Sequence, residues 1–147
     1  VVWVNPTSPF QTGKEIFDAC TFFMENGLDS LITVENKSVH SMFNGEPINY
    51  KVDEVFSQTQ DLMPVQNFVY SSMIWKSELF CEKFKQDGHA FFCGKFGVFP
   101  VSKKTGIIIK NEEDLMIVDL MMKHLKKKSK YFLKYDELAE KFLKLLP

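Results

Sequence analysis

Cysteine is scarce and poorly spaced for chemistry. Cys20, Cys81 and Cys93 are an odd number with no C-x-x-C pair, which argues against a disulfide framework or a zinc site. A reducing, cytoplasmic setting is the expectation. Histidine is equally thin: His40, His89 and His124 stand without an Asp, Cys or second His at ligand or triad spacing. Neither sign of charge dominates, with 18 basic against 19 acidic side chains and a net charge of −1. No broad basic face for nucleic acid is expected. The one basic cluster, Lys123, Lys126, Lys127, Lys128 and Lys130, reads as a solvated stretch after a helix or as a local anionic contact. No apolar run approaches the roughly 20 residues that span a bilayer, so no membrane partner is expected. Internal repeats and low-complexity linkers are absent.

What remains is the composition of a single globular domain over residues 1–147, 45% hydrophobic and 25% charged. Fifteen Phe supply much of the apolar surface, and each buried ring removes about 150–250 Å² from water. Val1-Val2-Trp3-Val4 opens the chain without Met as a β-branched run, the pattern of a strand buried on both faces. That opening predicts a piece of a longer protein. Ile16, Ala19, Cys20, Phe23 and Met24 follow at helical spacing and end at Asn26-Gly27. A strand over 29–35 then completes one βαβ crossover.

Residues 36–68 read as an excursion from the sheet. Asn44-Gly45 is a type I′ hairpin signal between Met42-Phe43 and Ile48-Asn49-Tyr50. A strand over 69–75, a helix N-capped by Ser77 and ending at Gly88, and strands over 96–101 and 107–109 predict a second crossover. Asn111 with Asp114 resembles a capping box that opens a helix striped by Leu115, Val118, Met122 and Leu125. A last amphipathic helix is expected over 135–146. The fold class is therefore α/β, a mainly parallel sheet with flanking helices and a hairpin-containing excursion. Ligands of such sheets bind at the carboxyl ends of the strands, which points to the loop from Asn5 to Thr12.

Asn5-Pro6-Thr7-Ser8-Pro9-Phe10-Gln11-Thr12, followed by a helix and Gly27-Leu28-Asp29-Ser30, resembles the acylneuraminate cytidylyltransferase (CMP-sialic acid synthetase) family, which reads Q-P-T-S-P-L-R-T and then G-A-D-S. Gln60-Asp61-Leu62-Met63-Pro64-Val65 is similar to that family's Q-D-L-P-P-V, and Asn111-Glu112-Glu113-Asp114-Leu115 to its closing T-E-E-D-L. The similarity runs over about residues 1–125 and matches the later part of a family member; the family's glycine-rich nucleotide loop is missing from this sequence. The resemblance implies a nucleotidyltransferase Rossmann-like sheet whose N-terminal units lie outside the chain. It also implies transfer of CMP from CTP to an acidic sugar with release of pyrophosphate, for a surface polysaccharide or glycoconjugate. A homodimer is implied as well, in which the excursion is the subunit contact.

The resemblance also assigns candidate substrate-binding positions: Asn5, Thr7, Ser8, Gln11, Gln58, Gln60, Tyr70, Ser71, Ser72 and Lys110. The family's loop arginines fall on Gln11 and near Gln58, and its N-G-A falls on Tyr70-Ser71-Ser72. Its two metal-holding aspartates fall on Ile108 and Lys110. Magnesium takes oxygen donors, which neither residue offers, so the family's magnesium is in doubt here and no metal ligand or catalytic residue is assigned. Each position has a plainer reading. Thr7 and Ser8 suit a Pro-bracketed turn and cap as well as an anion site. Gln58 and Gln60 suit a polar surface of the excursion as well as a sugar pocket. Lys110 is either a fixed cation standing where the family uses a metal or a solvated side chain. The alternative for the whole chain is a diverged, non-catalytic member that serves as a ligand-binding or oligomerisation module.

Overall fold

The computed structural model describes residues 1–128. The chain divides into two compact units, Val1–Lys110 and a second that begins at Asn111. The first unit holds strands β1 (Val2–Val4), β2 (Ser30–Lys37), β3 (Met42–Phe43), β4 (Glu46–Pro47), β5 (Val65–Trp75) and β6 (Phe96–Pro100), with helices α1 (Gly13–Glu25) and α2 (Ser77–Asp87). The second holds α3 (Glu112–Lys128). Among the described residues no helix is long and apolar enough to cross a membrane.

Local chemistry explains most boundaries. Thr12 caps α1 by accepting the Glu15 N–H at 3.1 Å, and the Glu15 carboxylate accepts the Thr12 N–H at 3.2 Å, a complete capping box. Asn26 ends the helix, its side-chain amide donating to the Phe22 carbonyl at 2.9 Å, and Gly27 turns the chain at φ 56°. Asn44 and Gly45, both at positive φ, make the turn between β3 and β4. Gly88 closes α2 at φ 76°. Asn111 and Asp114 exchange side-chain to backbone hydrogen bonds at 2.9 and 3.2 Å and open α3.

The main sheet runs β1-β5-β2-β6. β5 is antiparallel to both β1 and β2, whereas β2 and β6 are parallel. The fold is thus α/β with a mixed sheet containing one parallel pair, where the composition predicted a mainly parallel one. β1-α1-β2 is a crossover between co-directional strands, but β5 lies between them. β5-α2-β6 joins antiparallel strands on either side of β2 and so is not the second parallel crossover expected. Apolar strand composition reports burial on two faces, and this sheet supplies that in its middle whatever the strand direction. Leu31 and Ile74 pack with Ala19 and Leu28 beneath α1; Ile32, Met73 and Trp75 pack with Ala90, Cys93, Leu79 and Phe80 on the other face.

β1 departs further from expectation. Among the described residues it is one of the two edge strands of the sheet, and Val2, Trp3 and Val4 are 42%, 40% and 43% exposed instead of buried on both faces. Four smaller differences follow the backbone. The return arm of the hairpin is Glu46–Pro47, not residues 48–50. β5 starts at Val65 rather than at 69. Residues 107–109 form no strand, because their bonds go to a turn and a loop. The N-cap position of α2 is Lys76, with Ser77 already helical. The helix expected over 135–146 lies outside the described residues.

Candidate functional site

β1, β2 and β6 run in one direction, so their carboxyl ends share an edge with the loop 5–12, the start of the excursion and residues 101–110. The first wall of this edge is an Asx turn. Asn5 extends the ladder by donating its N–H to the Ser71 carbonyl at 2.8 Å, and its side-chain oxygen accepts the Thr7 N–H and hydroxyl at 3.0 and 2.8 Å. Ser8 is buried and donates its hydroxyl to the Thr105 carbonyl at 3.0 Å. The Thr7 hydroxyl proton is therefore used within the turn, and that of Ser8 ties the turn to the segment after β6.

The second wall is the segment after β6. The Ile109 N–H donates to the Thr7 carbonyl at 2.9 Å. The Glu15 carboxylate reaches across from α1, accepting the Ser102 N–H at 3.0 Å and the fully buried Thr105 hydroxyl at 2.7 Å. Burial pushes this carboxyl up, but the Ser102, Thr105 and Thr12 donors outweigh it and hold it below its ordinary value. The N-terminus of α1 thus already carries an anion of its own. Gln11, just before the helix, has both side-chain amide atoms enclosed with no hydrogen-bond partner among the described residues.

The floor of the edge is a break in the β2–β5 register. Val34 pairs with Phe68 and Ile32 with Met73, so Thr33 alone faces four residues of β5, Val69 to Ser72. Tyr70 takes φ 51° there, a left-handed conformation uncommon for an aromatic residue. Buried Thr33 holds the bulge: its hydroxyl donates to the Ser72 carbonyl at 2.9 Å and accepts from the Ser72 N–H at 3.1 Å and from Ser71 Oγ at 3.0 Å. The Ser72 hydroxyl is enclosed without a partner.

Of the sequence-predicted residues, Asn5, Thr7, Ser8 and Ser71 are brought together by direct bonds, and Ile108 and Lys110 flank the Ile109–Thr7 bond. Gln58 and Gln60 lie in the excursion, exposed and hydrogen-bonded to each other. They do not line the excursion's hollow of about 360 Å³, which is walled by His40, Asn49, Tyr50, Lys51, Phe56 and Asp61 among others. Sequence reasoning overlooked Glu15, Thr105 and Thr33. Thr12-x-x-Glu15 was a readable capping-box signal for the first; nothing in the sequence marks the other two.

At the opposite edge, Asp29 ties three strand ends together. The Asp29 carboxylate accepts from Lys76 Nζ and the Lys95 N–H, both at 2.7 Å, and these partners hold it below the ordinary carboxylate value. Burial pushes the neighbouring Cys93 thiol up, away from nucleophilic use. No family model matches the chain, and no curated protein matches it.

Proposed function

We propose that this chain is the sugar-side part of a sugar nucleotidyltransferase of the acylneuraminate cytidylyltransferase type. The hydroxyl of an acidic sugar attacks the α-phosphorus of CTP, pyrophosphate leaves, and a CMP-sugar results. The observation that supports this most is spatial: the segment that resembles the family around Asn5–Ser8 is joined by the Asn5–Ser71 and Ile109–Thr7 hydrogen bonds to the two places, Tyr70–Ser72 and 108–110, onto which the family's sugar-contacting and metal-holding positions fall, though with other residues, at one sheet edge. Such transfer depends on positioning and on neutralising phosphate charge. Asn5 and the bulge at Tyr70–Ser72 suit positioning, and Lys110 suits neutralisation. Ile108 and Lys110 do not fit a magnesium site, since neither offers an oxygen, and no step is routed through a metal. The excursion of residues 36–68 is proposed as the homodimer contact, in keeping with the exposure of Phe43, Val55 and Phe56.

A second reading, a non-catalytic ligand-binding or oligomerisation module, is favoured by one observation. The Glu15 carboxylate fills the α1 N-terminus, where a phosphate would otherwise be welcome. Calorimetric titration of CTP with and without magnesium, followed by a pyrophosphate-release assay with acidic sugars, separates the two. Both are run on this chain and on the gene product that contains it. CTP binding and pyrophosphate release by the containing gene product support transfer. Absence of both from both polypeptides refutes transfer and leaves the module reading.

A further inference from the structure

We infer that residues 102–109 form a strap latched onto the Asn5–Thr12 loop by Glu15, which makes Glu15 the positioning residue for the 108–110 end of the candidate site. Only the naming of that end as part of a site rests on the function proposed above; the latch stands on geometry alone. The last sheet bond of β6 is the Val101 N–H to the Val34 carbonyl at 2.9 Å. Beyond it the strap makes internal turn bonds, Gly106 N–H to Ser102 and Ile107 N–H to Lys104. Five contacts hold it to the 5–15 stretch: Ser102 N–H and Thr105 hydroxyl to Glu15, a longer approach of the same hydroxyl to the Phe10 carbonyl, Ser8 hydroxyl to the Thr105 carbonyl, and Ile109 N–H to the Thr7 carbonyl. Two of the five end on one carboxylate, and bonds to an ionised acceptor are about twice as strong as neutral ones.

Burial contributes unevenly to closure. Ser102, Lys103 and Lys104 are exposed and the one fully buried strap residue, Thr105, is polar, whereas Ile107, Ile108 and Ile109 are half-buried. The 102–105 end, held by polar bonds with no buried apolar side chain, is the end that opens locally without the rest of the sheet. Both carboxylate oxygens of Glu15 face the strap, Oε1 through the Ser102 N–H and Oε2 through the Thr105 hydroxyl, and Oε2 also accepts the Thr12 N–H of the cap. The other half of the cap, the Glu15 N–H donated to the Thr12 hydroxyl, and the Ser102 N–H of the latch can each be removed without the other.

Hydrogen exchange read by mass spectrometry on the unliganded chain tests the latch independently of any activity. In Glu15→Gln the strap is expected to exchange at least about tenfold faster, while residues 31–34 and 73–75 keep their protection. Thr12→Val, which removes only the cap, should loosen the first turn of α1 and leave the strap as protected as in the parent. Should Glu15→Gln fail to fold, Ser102→Pro deletes the N–H that Glu15 accepts and keeps both the carboxylate and the cap; it is expected to release the same residues. Unchanged strap exchange in the variant that folds overturns the inference. So does a rise shared equally by the strap and the β2–β5 core, which would make Glu15 a cap and general stabiliser only.

Discussion

Replacing Thr33 by Val removes one hydroxyl from the middle of the sheet at nearly constant volume. That hydroxyl is saturated, donating once to the Ser72 carbonyl and accepting from the Ser72 N–H and Ser71 Oγ. Thr33, Ser71 and Ser72 are all fully enclosed, so no water replaces what is lost. Each buried donor left without an acceptor costs about 1–3 kcal/mol, and two are orphaned, which puts the expected loss at about 3 kcal/mol. With a urea dependence of roughly 1.5–2 kcal/mol per molar, the unfolding midpoint should fall by about 2 M. Trp3 and Trp75 both lie within residues 1–110, so their fluorescence reports on the unit that holds the sheet. Thr33→Ser keeps the bonds and loses a methyl, for about 1 kcal/mol. A double-mutant cycle with Ser71→Ala should show coupling of about 1 kcal/mol. A Thr33→Val loss below about 0.5 kcal/mol would refute the claim that this hydroxyl pins the bulge.

Three further outcomes are expected. Gly94 sits at φ 61°, and a Cβ there would lie 2.4 Å from Asp29 Oδ2, so Gly94→Ala should destabilise by about 2 kcal/mol or more in the same urea assay. Because the folded Glu15 carboxyl is held below its ordinary value of 4.5, its stabilising effect is present above that value and is lost as pH falls through the lower folded value. The stability gap between the parent and Glu15→Gln, measured by urea unfolding, should therefore shrink between pH 7 and pH 3; a gap that is constant with pH contradicts the assignment. Gln11→Met replaces two enclosed, unpartnered amide atoms by apolar ones of similar size and should leave stability unchanged or raise it by about 1 kcal/mol. A loss above 1 kcal/mol in thermal unfolding would mean that the amide is satisfied.

Local signals carried well from sequence to structure. Asn26-Gly27, Asn44-Gly45 and Gly88 each sit at a chain reversal, because positive φ is a property of one or two residues and needs no distant partner. Strand direction did not carry. Val69, Met73, Ile74 and Trp75 read as a buried strand, which β5 is from Ser71 to Trp75, yet the same pattern serves a parallel or an antiparallel neighbour. Val1–Val4 failed for a related reason: composition reports what a strand can bury, not what lies beside it. Of the site, the Asn5–Thr12 loop was legible from its prolines and hydroxyls. The Thr33 bulge and the Thr105 contact were not, since each depends on residues brought together across dozens of positions in sequence.

The edge position of β1 also has a kinetic side. Its pairing of Val2 with Ile74 is distant in sequence, whereas β2 and β5 are zipped from Lys37 and Val65 across the much shorter excursion. Loop-closure entropy favours the β2–β5 seam first and leaves β1 to dock late and to detach first. Whenever β1 is away, the outer side of β5 from Ser72 to Trp75 offers its own bare backbone to the solvent, in a strand longer than β1. The three residues of β1 therefore act as a removable guard on β5, and the rate at which they lift off sets how often that strand is open to a stray neighbour.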